Sequence, residues 1–325
     1  MRLDQLLVEN GMARSRSRAT QLISAGLVTV NGKVIHKPAY KIEPDDVLAV
    51  QHQPQDDYVS RAAFKLARTC EAIGTENLVL HKTAALDIGA STGGFTQVLL
   101  LNGVEHVVSL DVGHDQLVPE LRNDERVTVI EGFNARNLTV NDLPYRPEVI
   151  VSDVSFISLT HLIPAIASVA TSVTETLLMV KPQFEVGKEH VSSSGVVTDP
   201  VLHVSAINQV VQAGYDCGLA VHAIIPSALP GPHGNREFFV WFRSIIHPNS
   251  GYSDTVGEGN TGFLDEQHYR DVVARTVERA VLGKTPAVTR KNFHNEDAVT
   301  SGRKARGIPQ EQDVPKTEVY WVRES

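Results

Sequence analysis

From Ala84 to Arg243 the sequence alternates between continuous apolar runs and amphipathic stretches. The runs include AALDIGA, HVVSLDV, RVTVIEG, PEVIVSDVSF and ETLLMVKPQF; DQLVPELRND, SLTHLIPAIASVA and DPVLHVSAINQVVQAGYDCG read as helices among them. A strand that is apolar on both faces has to be covered on both faces, so the pattern predicts an α/β fold with a mostly parallel sheet between two helical layers. The last two runs, AVHAIIPSAL and REFFVWFRS, are joined by the loop PGPHGN rather than a helix, which predicts an antiparallel final strand.

The first strand ends in a glycine turn, LDIGASTGGFTQVLLLNG. Strand, glycine turn and helix together hold nucleotide-like ligands, and three ligands compete for this one. A triphosphate loop needs Lys and Ser/Thr after its last glycine, and Phe95 stands there instead. A dinucleotide turn needs a second glycine where this chain has Ser91. S-adenosylmethionine carries no phosphate and is cationic and zwitterionic. It suits a turn with Asp87 at the strand end and small residues, Gly89, Ser91, Thr92, Gly93 and Gly94, above it. Asp111, ending the next strand, can accept both hydroxyls of a ribose, although that group serves either nucleotide ligand.

Two further charged residues end apolar strands: Asp153 in VIVSDVSF and Lys181 in LLMVKPQFE. Ligands of a parallel α/β sheet sit at the carboxyl ends of its strands, so both are placed at the crevice with Asp87 and Asp111. The fourth strand lacks the Asn/Asp-Pro-Pro-aromatic motif that holds an exocyclic amine, and neither Cys70 nor Cys217 sits at a strand end. A strand-end lysine suits a hydroxyl acceptor whose proton has to be removed.

Residues 1–50 read as a separate module of helix, helix, hairpin and strand, with Asn31-Gly32 as the hairpin turn. Residues 1–41 hold seven basic side chains against two acidic ones, an excess of +5 in a chain whose net charge is −8. Concentrated in one small module, that excess reads as a phosphate-binding face. The module resembles the S-four-type RNA-binding domain, whose second helix and following turn lie on RNA; the matching positions are Arg14, Arg16, Arg18 and Lys37. Residues 51–59 read as a linker, 60–245 as the catalytic domain, and 246–325 as a polar tail, largely disordered, with one amphipathic helix in FLDEQHYRDVVARTVERAVLG.

The segments ARSRSRA, VSRAAFKL, LDIGASTGGFT, SDVSFISL, VKPQFEVGK, GVVTDP and LPGPHGNREFFVW occur in the order found in the TlyA family of ribosomal RNA ribose methyltransferases, which the chain resembles over about residues 1–243. The resemblance implies an S-four-type domain followed by an FtsJ-like class I methyltransferase domain with a seven-stranded sheet. It implies S-adenosylmethionine as cofactor, bound by Asp87, Gly89, Ser91, Thr92, Gly93, Gly94, Phe95, Asp111, Asn134 and Asp153. It also implies a Lys-Asp-Lys-Glu tetrad of Lys65, Asp153, Lys181 and Glu237. The implied reaction is 2′-O-methylation of cytidine in small- or large-subunit ribosomal RNA. Lys181 would manage the hydroxyl proton, Asp153 would pair with it, Lys65 would supply a second positive charge, and Glu237 would orient a lysine.

Three rival functions are weighed against this. A membrane-active haemolysin, a label often given to this family, would need a spanning or basic amphipathic helix; no run approaches about 20 apolar residues, and the tail helix is mixed in charge. A non-catalytic RNA-binding protein would not need an intact tetrad. An NAD-dependent oxidoreductase is disfavoured by Ser91. Two cysteines in no paired motif argue against a disulfide framework and a cysteine-ligated zinc site and, with no signal-like apolar stretch at the start, fit a cytoplasmic protein without a metal; a monomer is expected, although the sequence does not fix the oligomeric state.

Overall fold

The computed structural model describes residues 1–13, 15–51, 58–231, 233–244, 266–282 and 317–322. It divides into two compact units, Met1–Asp57 and Tyr58–Ser325.

In the first unit, helices α1 (Leu3–Glu9) and α2 (Arg16–Ser24) cover a small antiparallel sheet of β1 (Val28–Val30), β2 (Lys33–Val34) and β3 (Leu48–Val50), ordered β2-β1-β3. Helix α2 starts at Ser15, whose hydroxyl accepts from the Arg18 N–H at 3.2 Å. The hairpin turns on Asn31 (φ 48°) and Gly32 (φ 77°); both central residues are left-handed, as a two-residue turn matched to strand twist requires. Leu3, Leu7, Ala19, Leu22, Ile23, Val28 and Val30 form its core.

The second unit opens with α3 (Arg61–Ile73). Next come β4 (Ala84–Ile88), α4 (Gly94–Leu101), β5 (His106–Leu110), α5 (Pro119–Arg122), β6 (Val127–Ile130) and β7 (Val149–Ser152). The chain continues through α6 (Ile163–Val169), β8 (Glu175–Val180), α7 (Pro182–Glu185), α8 (Pro200–Asp216), β9 (Leu219–Pro226), β10 (Phe238–Ser244), α9 (Glu266–Leu282) and β11 (Tyr320–Trp321). The sheet order is β11-β9-β10-β8-β7-β4-β5-β6. Strands β6, β5, β4, β7 and β8 are parallel, and β10 runs antiparallel between β8 and β9, as the short loop before it predicts.

Side chains of the central strands alternate between two apolar layers. Leu178, Val180, Phe238, Val240 and Phe242 pack on the side of α6 and α8, where Val273 and Val277 of α9 also bury. Leu177, Met179, Phe239 and Trp241 pack on the opposite side, with Leu66 of α3 and Val98 and Leu99 of α4.

Three details differ from the sequence pattern. DQLVPELRND is helical only over Pro119–Arg122, because Pro119 fits only the first turn of an α-helix. SLTHLIPAIASVA splits into a 3₁₀ turn, Leu159–His161, and α6, because Pro164 fits only the first turn of an α-helix. An eighth strand, β11, joins the seven expected by pairing Tyr320 with Ile224 and Trp321 with Ala223. The amphipathic pattern in the tail forms α9. The linker residues 52–57 and most of the tail expected to be disordered lie outside the described residues.

Candidate active site

The carboxyl ends of β4, β5, β7 and β8 lie side by side, and those of β4, β5 and β7 open on a cavity of about 470 Å³. Gly89, Ser91, Asp111, Gln116, Phe133, Asn134, Asp153 and Ser155 are among the residues that line it. The turn after β4 passes close to the loop after β7: a Cβ on Gly89 (φ 83°) would stand 3.0 Å from Val154 Cγ1. Ser91 takes a left-handed conformation (φ 47°), and Gly93 (φ 93°) caps α4. A Cβ on Gly94 would collide with Ser60 Oγ. Phe95 points away from the cavity and stacks on Phe239 at 5.9 Å, and Thr92 is exposed on the turn.

Two backbone N–H groups, one in this turn and one after β5, bear on the ligand question. Ser91 N–H donates to Asp111 Oδ2 at 2.8 Å, and Gly113 N–H donates to Asp111 Oδ1 at 2.7 Å. The Ser91 N–H, a donor that a pyrophosphate in this turn would use, is therefore engaged by a carboxylate. Asp87 is fully buried; its Oδ2 accepts from Thr96 N–H (2.9 Å) and Thr96 Oγ1 (2.7 Å), while Oδ1 has no partner. Burial lifts its carboxyl to about 7; the Thr96 bonds oppose the rise, and the charges of Asp153 and Asp111 add to it. Asp111 and Asp153 on the lining, with Asp87 and its orphaned oxygen buried at the end of β4, suit a cationic ligand better than a phosphate. Asn134 Oδ1 is engaged by the Arg136 N–H at 3.1 Å.

The tetrad residues form two lysine–carboxylate pairs. Lys181 Nζ lies 2.8 Å from Asp153 Oδ1 as a charge pair without hydrogen-bond alignment, and donates to Ser155 Oγ at 2.8 Å. Lys65 and Glu237, 5% and 3% exposed, form a second ion pair between α3 and the start of β10. The two pairs are neighbours because the last register pair of β8 and β10 is Val180 with Phe238, and Lys181 and Glu237 are the next residues along.

In the N-terminal unit, Asp4 accepts from Arg2 (2.9 and 3.0 Å) and from Arg16 (3.0 Å). Arg16 is thus held by one of the module's few acids. Arg18 reaches Gln21 Oε1 at 3.4 Å, Lys37 is exposed just after the hairpin, and Arg14 lies outside the described residues.

Sequence reasoning passed over Ser155, Gln116, Phe156 and Glu185. Phe156 is 91% exposed with φ 65°, a conformation a bulky side chain rarely adopts, and its ring lies 5.3 Å from that of Phe184. Its signal was its place in SDVSFISL, three residues after Asp153, the charge partner of Lys181; Ser155, two residues after it, was legible by the same adjacency. Among the described residues no group of three or more His, Cys, Asp or Glu could hold a metal ion, and no helix is long and apolar enough to cross a membrane.

Comparison with known proteins agrees with this fold. The FtsJ-like methyltransferase model matches residues 58–244 and the S4 domain model residues 1–48. The 16S/23S rRNA (cytidine-2′-O)-methyltransferase TlyA of Mycobacterium tuberculosis is 43% identical over 243 residues, 75% of this chain and 90% of that one. Hemolysin A of Brachyspira hyodysenteriae is 40% identical over 74% of this chain and 99% of its own. A solved structure from Streptococcus thermophilus, labelled a hemolysin, is 32% identical, covers 87% of this chain and 94% of that one, and superposes with a TM-score of 0.64. An S4 domain followed by an FtsJ-like methyltransferase domain, with relatives of this identity along most of their length, makes the chain a member of the TlyA family.

Proposed function

We propose that the protein methylates the ribose 2′-hydroxyl of cytidine in ribosomal RNA, with S-adenosylmethionine as donor, in the cytoplasm and without a metal. Its S4 module, taken as residues 1–50, docks the RNA, and residues 60–245 carry the chemistry. The observation that carries the reading is the Lys181–Asp153 pair at the cavity that Asp111 and Asp153 line, with the Lys65–Glu237 pair joining α3 to the start of the neighbouring β10.

The bound cofactor supplies an activated methyl group. Asp111 would accept from its ribose, Asp87 and Asp153 would face its positive charge, and the segment near Asn134 would meet its base. The chain's own part in the reaction concerns the acceptor proton. As an ammonium, Lys181 contacts Asp153, Ser155 and, at 3.5 Å, the Asp153 carbonyl oxygen. As a neutral amine it keeps two of these contacts and turns its lone pair to a 2′-hydroxyl. The Nζ atom then takes up the proton as the oxygen attacks. Lys65, fixed by Glu237, holds positive charge beside the forming alkoxide. Phe156 offers an exposed ring on which an unstacked base can lie. The hemolysin labels of relatives find no counterpart in a membrane-spanning helix among the described residues.

The test is methyl transfer to purified ribosomal subunits, with the modified position mapped, for wild type and Lys181→Arg. Arginine keeps the charge and cannot accept a proton. The expected loss is about 10²-fold or more in kcat, with cofactor binding unchanged by calorimetry. Methylation of a base instead of a ribose, or near-normal rates in Lys181→Arg, would overturn the reading.

A further inference from the structure

The short helix α7 follows Lys181 directly, and it grips the loop after β7 at three points. At the first, Lys181 holds Asp153 and Ser155. At the second, the ring of Phe184 lies against that of Phe156. At the third, Glu185, 8% exposed, accepts from Ser158 Oγ (2.5 Å) and from the Leu159 N–H (3.0 Å). Ser158 in turn caps the 3₁₀ turn that follows, accepting from the Thr160 N–H at 3.2 Å.

Between the first and third grips the backbone is strained. Phe156 sits at φ 65° with its ring almost wholly in solvent, so nothing buried rewards that conformation. Such strain persists only where the surroundings over-determine it. The Glu185 carboxylate is the buried group that closes the loop from its far side. Burial also pushes its pKa up, with the Ser158 and Leu159 bonds working against that rise, so the carboxylate is kept at an electrostatic cost.

We infer that Glu185 is a positioning residue for the methyl acceptor: by tying Ser158 and Leu159 to α7 it holds Phe156 in its projecting, strained conformation at the cavity mouth. The inference rests on the proposed reaction and deepens it. Lys181 still holds the Asp153–Ser155 part of the loop when Glu185 is removed. The effect therefore falls on the acceptor side and spares the cofactor side.

The test is steady-state kinetics on ribosomal subunits with Glu185→Ala, Glu185→Gln, Phe156→Ala and the Glu185→Ala/Phe156→Ala double variant, with the active fraction fixed by cofactor titration. Glu185→Ala should raise KM for RNA about tenfold and change kcat and cofactor Kd by less than about threefold. Glu185→Gln keeps an acceptor for Leu159 N–H, and its amide can donate to Ser158 Oγ, so it should restore KM to within about twofold. The double variant should be no worse than Phe156→Ala alone, because both changes remove one function. Additive losses, an unchanged KM in Glu185→Ala, or an equal loss of cofactor affinity would overturn the inference. A wild-type enzyme with no ribose methylation would instead defeat the proposed reaction, so the two failures are distinct.

Discussion

Asp4 and Asp87 are both buried aspartates, one in each unit, and their surroundings push them in opposite directions. Asp4 accepts hydrogen bonds from Arg2 and Arg16, and these bonds bring its carboxyl down to about 2 against the cost of burial. Asp87 has only Thr96, with Asp111 and Asp153 nearby, and burial brings it up to about 7. The first carboxylate is balanced within the fold and the second is not. A fold that leaves a buried charge unbalanced beside an open cavity spends stability there, and a cationic ligand is what recovers it.

The sharpest way to break this contrast is to make the same change at both positions. Between pH 4 and 7 the unfolded chain has released the Asp87 proton and the folded chain keeps it, so this group lowers stability as pH rises and weighs fully above about 7. Asp87→Asn should therefore melt higher than wild type without cofactor at pH 8, by roughly 5 °C or more. The gap should close as pH falls toward 4, and cofactor affinity should fall tenfold or more. Thermal melts across pH, with calorimetry, decide it; a variant melting below wild type at pH 8 would mean the charge is already balanced.

Asp4→Asn should do the reverse. The folded Asp4 carboxyl lies below its unfolded value, so its contribution is complete above about pH 4 and disappears as pH falls through about 2. The substitution should cost about 1.5–3 kcal/mol at pH 7, and the cost should fade as pH drops below about 2. Hydrogen exchange at Leu7 and Ile23, in the core of the N-terminal unit, would report it. A stabilised Asp4→Asn would end the contrast.

The smallest effects belong to the exposed cations. Lys37→Ala should weaken RNA binding and reduce the slope of log affinity against log salt by about 0.7–0.9, without changing cofactor Kd. Arg16→Ala should do the same and also loosen Asp4. Titrations at several salt concentrations check both, and unchanged slopes would remove these residues from the RNA face.

What the sequence made legible follows from periodicity. Apolar strands ending in Asp87, Asp111, Asp153 and Lys181 identify the crevice, because strand order need not be known for the carboxyl ends to face one side. The Lys65–Glu237 pair needs the register of β8 against β10 and the docking of α3, so only family motifs brought those two residues to the site. Glu185 stayed hidden because its partners are a loop hydroxyl and a backbone N–H, and neither leaves a mark in the residue pattern. Asp4 stayed hidden for a similar reason: in a basic module one of a few acids reads as surface until its two arginines are seen.

Strand β11 bears on how the molecule behaves among copies of itself. Its two residues cover Ile224 and Ala223 in β9, and Val322 N–H donates to His222 O at 2.9 Å. Trp321 anchors the segment, 5.6 Å from Trp241 and 5.4 Å from His222. Without it β9 would be the outermost strand, a row of bare peptide groups onto which another chain could zip. A chain cut after Leu282 would keep every residue of the active site and carry it on a sheet with an adhesive edge.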